Sequence, residues 1–157
     1  MTARDLIEKL ALTPHPEGGW YREVFRSSAR VDTSRGPRSA ITAIYYLLER
    51  HQLSRWHVVE TDEIWHLYGG SPLELLAYSL DSRRLVRHVL GNADERNEPV
   101  AVVEAGVWQA ARSLGDFSLI GCTVGPGFEF EDFRFVVSVP GHAAHFQGEL
   151  GPFVSLL

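Results

Sequence analysis

Cysteine occurs once, at Cys122. No intramolecular disulfide can form, and a cytoplasmic location is the expectation. Lysine also occurs once, at Lys9, in a terminal amphipathic stretch. That leaves no support for Schiff-base chemistry and no G-x-x-x-x-G-K-[ST] phosphate loop. No G-x-G-x-x-G follows a strand-like run, so a dinucleotide fold is unsupported. No apolar run approaches the ~20 residues of a membrane span. Met1 to Leu10 carries Arg4, Asp5, Glu8 and Lys9, which is not the pattern of a signal peptide. Positive charge is not in excess either: 15 Lys and Arg stand against 20 Asp and Glu, a net charge of −5. Phosphate backbones are bound by clustered Lys and Arg, so nucleic acid is not an expected partner, and neither is a membrane.

What is present suits a globular domain. The chain has 157 residues, 45% of them apolar and 22% charged. That length and composition predict one domain over 1–157, folding without covalent or metal staples. Thr2 to Leu12 reads as a short helix, with Thr2 as N-cap and Leu6, Ile7, Leu10 and Ala11 on one face. Pro14 and Pro16 stop it. From there the chain is strand-like. Short runs rich in β-branched and aromatic residues extend from Trp20 to Arg26, Ala40 to Leu48, Arg55 to Val59, Glu63 to Tyr68, Leu73 to Leu80, Leu85 to Leu90, Val100 to Val103, Val107 to Arg112, Phe117 to Val124 and Phe128 to Val139. Turn signals such as Gly69-Gly70-Ser71-Pro72 and Gly125-Pro126-Gly127 separate them. Many short strands at regular spacing predict an antiparallel sandwich or barrel, with its core over 13–139. The stretch 92–99 reads as a loop, and the tail 140–157 carries no assigned element.

Chemistry concentrates between Arg55 and Gly70. In period two, Arg55, His57 and Val59 share one face of their strand. Glu63, Trp65 and Leu67 share a face on the next, with Ile64, His66 and Tyr68 opposite. Joined by a short loop, the two strands bring His57 and Glu63 together. An imidazole beside a carboxylate suits a divalent metal or acid–base work. The plainer alternative is a hydrogen-bonded polar pair on a strand surface.

This segment resembles the first motif of the cupin superfamily, G-x5-H-x-H-x3,4-E-x6-G. Glu63 and Gly70 match its second half, and His57 matches its second histidine. Arg55 stands at the first histidine. The second motif, P-x-G-x2-H-x3-N, resembles Glu104 to Ser113, with Gln109 in place of the metal histidine. More specific strings resemble the small branch often called cupin family five: His15-Pro16-Glu17-Gly18-Gly19-Trp20-Tyr21-Arg22-Glu23, Asp62-Glu63-Ile64-Trp65-His66, Ala105-Gly106-Val107-Trp108-Gln109 and Gly121 to Phe133. The resemblance runs from about Leu6 to Phe133. It implies an all-β fold: a cupin-type double-sheet β-barrel (jelly roll) with a short N-terminal helix.

The resemblance also implies a small-molecule pocket between the sheets, lined by Arg55, His57, Glu63, Trp65 and Gln109. His57, Glu63 and Gln109 supply at most three metal donors, one of them a neutral amide, and Arg55 opposes a dication nearby. A metal-free pocket suits these residues better, with a weakly held divalent metal as the alternative and no cofactor required. In that pocket Arg55 clamps a carboxylate or phosphate. His57 acts as acid or base, with Glu63 orienting its other nitrogen. Trp65, Trp20 and Tyr21 stack on a sugar or ring. Cupins of the deoxysugar-nucleotide epimerase kind pair a histidine base with a tyrosine acid; Tyr45, Tyr46 and Tyr78 are the tyrosines open to that role. The expected function is a metal-independent isomerase or epimerase acting on a polar, carbohydrate-like or anionic ligand. The alternatives are a binding module without turnover and a metal-dependent cupin enzyme.

The remaining marked residues carry plainer expectations. His66 faces away from Glu63 and reads as structural. His15, His51 and His88 read as loop or surface residues. His142 and His145 have helical metal-pair spacing, but Gly141 and Gly148 favour a loop. Cys122 reads as buried and unreactive. Trp20 to Phe25 would form an apolar strand at a sheet edge, and pairing such edges across a two-fold axis predicts a homodimer.

Overall fold

The computed structural model describes residues 1–94, 97–150 and 153. Helix α1 (Ala3–Lys9) opens on Thr2, whose hydroxyl accepts from the Asp5 backbone N–H while the Asp5 carboxylate accepts from the Thr2 N–H. That reciprocal cap fixes the start of a helix too short to persist alone. Two antiparallel sheets follow. The first, in spatial order, is β1 (Thr13–Pro14), β2 (Trp20–Arg26), β5 (Thr42–Glu49), β12 (Phe117–Gly125), β7 (Asp62–Gly70) and β10 (Val100–Val103). The second is β13 (Phe133–Phe135), β6 (Leu53–Val59), β11 (Trp108–Ser113), β8 (Leu73–Ser79) and β9 (Arg84–Leu90). A separate hairpin joins β3 (Arg30–Thr33) to β4 (Gly36–Ser39). This is the expected jelly roll.

Alternation decides what each sheet buries. Tyr46, Leu48, Trp65, Ile120 and Cys122 of the first sheet meet Leu73, Leu75, Ala77 and Ala111 of the second, forming the interior. Their odd-numbered or even-numbered neighbours point outward, and each outer face is covered in part. Under α1, Leu6 and Leu12 pack on Leu47 with Trp20 and Tyr45. On the second sheet, Trp56, Leu76, Tyr78, Trp108 and Ala110 form an apolar outer face that Phe146 and Leu150 seal.

That seal corrects the expectation for the tail. Its described part carries a helix, α2 (His142–Glu149), where a loop was expected around His142 and His145. Gly141, at φ 79°, supplies the left-handed residue at its N-cap. Phe146 sits edge-on to Trp56, Tyr78 and Trp108, with centroids 5.2–5.4 Å away. Helical propensity did not announce this helix; an apolar sheet face that needed cover selected it. Residues 151–152 and 154–157 of that tail lie outside the described residues, as do 95–96 of the expected loop 92–99.

Two further expectations are corrected. The run Phe128 to Val139 is not one strand: it forms a 3-10 turn (Phe130–Asp132), the three residues of β13 and a second 3-10 turn (Val136–Ser138). Its alternating pattern came from aromatic side chains meeting a cavity, not from a pleat. The hairpin β3–β4 was not expected, because Arg30 to Ser39 carries little apolar alternation. Charge explains it. The hairpin holds Arg35 and Arg38, and both bind Asp132 of the 3-10 turn, at 2.8 Å and 2.9 Å.

Candidate functional site

A cavity of about 240 Å³ opens between the sheets at the end where β2, β5, β7 and β12 meet β6. His57 reaches it from β6 and Glu63 from β7, so the expected strand phase holds at both. The two strands belong to different sheets, and their side chains face each other across the cavity rather than side by side. His66 lies on the outer face, against Tyr68.

Gln109 joins them from behind. On β11 it pairs in register with His57, and it is fully buried. Its Oε1 accepts from the Trp65 indole N–H at 3.0 Å. An indole nitrogen only donates, so this bond fixes which end of the amide faces the cavity. The amide nitrogen then donates to Glu63 Oε2 at 2.5 Å and meets His57 Nε2 at 3.2 Å. His57 Nδ1 lies 2.7 Å from the Arg55 carbonyl, which can only accept. The imidazole is therefore neutral, with its proton on Nδ1 and the Nε2 lone pair turned to Gln109 and the cavity. Adding a proton at Nε2 would set two donors against each other. Burial pushes the His57 pKa in the same direction, downward.

A third side chain at the cavity floor is one that sequence reasoning passed over. Glu17 Oε2 lies 3.3 Å from His57 Nε2, and the carboxyl is 6% exposed. It hangs from the turn between β1 and β2. Gly18 and Gly19 there have φ 113° and 75°, and a Cβ on Gly18 would lie 2.0 Å from the Leu53 carbonyl oxygen. Only glycine lets the turn lie flat on β6 and press Glu17 inward. Tyr46 and Arg55 tie the turn down, donating to the Gly18 carbonyl at 2.8 Å and the Pro16 carbonyl at 2.9 Å. Burial raises the Glu17 pKa, and that of Glu63. A carboxyl whose pKa is raised, set beside a lone-pair nitrogen, is placed to share a proton with it.

His15 also lines the cavity, where a loop or surface position was expected; its Nδ1 accepts from the Glu17 backbone N–H at 3.2 Å. Tyr21 lines it too, edge-on to His15 at 4.4 Å. Phe128, Phe130 and Phe133 complete the wall, Phe133 stacking on His57 at 5.0 Å. Arg26 holds this segment closed, binding Glu129 at 2.7 Å and the Phe128 carbonyl at 3.0 Å. The only sequence signal for Glu17 was its place before Gly18-Gly19; the aromatic wall was hidden inside an apparent strand.

Four expected ligand-binding residues do not line the cavity, Gln109 among them, since it lies fully buried behind His57 and Glu63. Arg55 is exposed; its guanidinium lies over the Phe135 ring at 4.8 Å and pins the Glu17 turn from outside. A bulge in the β6–β11 pairing, between Gln109 and Ala111, breaks the alternation that would have turned it inward. Trp65 lies beneath the cavity at 1% exposure, its indole spent on Gln109. Trp20 packs with the α1 cluster and donates to Glu49 at 3.1 Å. Glu63 does not orient a nitrogen of His57; Arg55 does that through its carbonyl. Among the tyrosines, Tyr45 and Tyr78 sit in the outer clusters, and Tyr46 is buried with its hydroxyl on Gly18.

A divalent metal does not fit these donors. Gln109 presents its N–H groups, not its oxygen, to the space between His57 and Glu63. Among the described residues, no group of three or more His, Cys, Asp or Glu side chains is placed to hold a metal ion. No helix among them is long and apolar enough to cross a membrane.

The sequence and fold have close counterparts. A family model described as "Cupin superfamily (DUF985)" matches residues 4–136. A hypothetical protein from Leishmania major is 33% identical, with TM-score 0.81 over 97% of this chain and 93% of its own. A protein from Shewanella oneidensis is 30% identical, with TM-score 0.84 over 99% of this chain and 94% of its own. A dTDP sugar isomerase from Desulfovibrio desulfuricans shares the fold at 13% identity, with TM-score 0.54 over 85% of this chain and 87% of its own. No curated protein matches the chain.

Proposed function

The chain belongs to the cupin-superfamily family DUF985, and on that premise we propose that it is a metal-independent enzyme of isomerase or epimerase type acting on a small polar, carbohydrate-sized ligand. One observation carries the reading: a raised carboxyl, Glu17, lies 3.3 Å from a neutral imidazole, His57, inside an aromatic-walled cavity. Two groups that share one proton form an acid–base unit. It delivers a proton to the ligand in one step and takes one back in another, which is the net chemistry of moving a stereocentre or a double bond. Glu63, fixed by Gln109, accepts hydrogen bonds from ligand hydroxyls. The cavity is smaller than the ~300–1,000 Å³ of drug-sized sites and suits a single ring. The dTDP sugar isomerase shares only the fold; it supports the reading as far as showing that such a barrel hosts sugar chemistry.

Solvent exchange tests this. The protein is incubated in D2O with a panel of ketoses, aldoses and their derivatives, and carbon-bound deuterium is followed by NMR. Uptake at a carbon beside a carbonyl, lost in Glu17→Gln, is the expected result. A ligand that binds in the cavity with no uptake would make the protein a binding module instead.

A further inference from the structure

Among the described residues four acidic side chains are deeply buried: Glu17, Glu63, Glu74 and Asp132, each under 8% exposed. Two are neutralised in duplicate. Glu74 lies between Arg87 and Arg112, at 2.5 Å and 2.6 Å. Asp132 lies between Arg35 and Arg38, at 2.8 Å and 2.9 Å. This chain, with its abundance of arginine, pairs a buried carboxylate twice wherever the role is structural. An unpaired buried charge is costly, so such pairing is the norm.

The two cavity acids break that pattern. Among the described residues, Glu17 has only the histidines His15 and His57 within ion-pair distance. Glu63 has the neutral Gln109 amide. Two arginines, Arg22 and Arg26, line the cavity, but neither is paired with Glu17 or Glu63: Arg26 binds Glu23 and Glu129, and Arg22 lies over the Tyr45 ring at 5.7 Å. Arg55 acts on Glu17 only from outside, without an ion pair. The same cavity is lined by a continuous run of rings. Tyr21, His15, Phe130, Phe133 and Phe128 contact one another in sequence at centroid distances of 4.4–6.4 Å. Ring faces attract cations and add nothing for anions.

We propose that the cavity is built for a ligand carrying a protonated amine, seated between Glu17 and Glu63 and against the Tyr21–Phe133 wall. The ligand supplies the positive charge that arginine supplies at Glu74 and Asp132. Burial is the largest cause of the raised carboxyls in the empty site, and at Glu63 the neighbouring Glu17 charge adds to it; a bound ammonium favours their ionised forms and stands in for the missing arginines. An amino sugar or other small amino alcohol matches the cavity size. A carboxylate or phosphate ligand is disfavoured between Glu17 and Glu63, because it would meet two carboxyls there while Arg26 is already paired with Glu23 and Glu129 and Arg55 lies outside. The inference rests on the cavity being the ligand site, as in the proposed function, but not on turnover.

Calorimetric titration of the full chain with matched probes tests it: ethanolamine, ethylene glycol and glycolate, then glucosamine, glucose and glucuronate. At least one amine should bind ten-fold or more tightly than the alcohol and the acid of its own skeleton. That preference should fall to within about two-fold in Glu63→Gln. If that variant fails to fold, the wild-type protein carries the test: amine affinity should weaken as pH falls and the carboxyls take up protons. Equal or better binding of the acids overturns the inference. So does amine preference unchanged in Glu63→Gln or flat with pH, the absence of amine binding altogether, or tight Mn2+ or Zn2+ binding in its place. Amine-selective binding without deuterium uptake would sink the proposed catalysis and leave this inference standing. Deuterium uptake into a neutral or acidic substrate, without amine preference, would do the reverse.

Discussion

Glu17 Oε2 and His57 Nε2 lie 3.3 Å apart across the cavity floor, within reach of one shared proton. His57 has already committed its other nitrogen to the Arg55 carbonyl, so its lone pair faces the acid. Removing the proton carrier should cost more than removing its partner. Glu17→Gln should lower turnover about 100-fold or more, the usual contribution of a general acid–base group, with a smaller effect on ligand affinity. Single-turnover exchange rates set beside calorimetric affinities check the split. Loss of affinity at full rate would make Glu17 a binding residue only.

Trp65 sets the direction of the Gln109 amide. In Trp65→Phe the indole donor is gone and the amide is free to turn its oxygen toward His57 and Glu63. The lost hydrogen bond should cost about 1 kcal/mol of stability. Its more specific sign is a gain in divalent metal binding, because the cavity would then face three oxygen and nitrogen lone-pair donors. Titration with Mn2+ should detect binding in the variant above that of the unaltered chain. Equal binding by both proteins would show that Gln109 does not hold metal away.

The buried acids make stability depend on pH in a defined sense. Burial raises the pKa values of Glu17 and Glu63 above 4.5 in the folded chain. Above that value the native state holds protons that the unfolded chain has lost, so their contribution falls as pH rises toward the folded pKa. Glu63→Gln removes one such term. Its stability relative to the unaltered chain should therefore improve steadily as pH rises from 4.5. His15 and His57 act on the other side: their folded pKa values lie below 6.5, so stability falls as pH drops beneath that value. Urea denaturation across this range measures both trends. A pH-independent difference for Glu63→Gln would mean that the carboxyl ionises as in water.

Phe146 is fully buried against three aromatic rings of the second sheet. Phe146→Ala should cost about 3–5 kcal/mol and leave ligand affinity intact, since the helix covers the face away from the cavity. A thermal melt with and without a bound amine separates the two effects. A variant as stable as the parent would show that α2 contributes little to the fold.

Beyond Tyr21, the open edge of β2 carries Val24 and Phe25 at 43% and 54% exposure, while β1 pairs only with Trp20 and Tyr21. A homodimer formed through that edge should sediment at twice the 17.6 kDa of one chain, and Phe25→Glu should return it to a monomer. Sedimentation at micromolar concentration decides the point, and a single-chain mass for the unaltered protein would end it.

Alternation was enough to place His57, Glu63 and Gln109 on interior faces, because period two leaves a strand residue only two directions. It failed at Arg55, where a bulge shifts the register, and at Trp65, where the face was right but the depth was not. The tail and the hairpin β3–β4 were not legible, since their partners, the outer face of the second sheet and Asp132, are distant in sequence.

The sequence by itself determined the antiparallel barrel, the strand phase and two of the three cavity-floor side chains, because all of these follow from local pattern and motif. Tertiary structure alone decided that Glu17 completes the site and that Trp65 orients Gln109. It also decided that Phe128, Phe130 and Phe133 form a wall, and that Glu17 and Glu63 go without the arginines given to Glu74 and Asp132. Each of these depends on contacts between elements far apart in the chain, the three phenylalanines included, which become a cavity wall only against His15 and His57. Such contacts exist only once two sheets have closed on each other, and no window of sequence contains both partners.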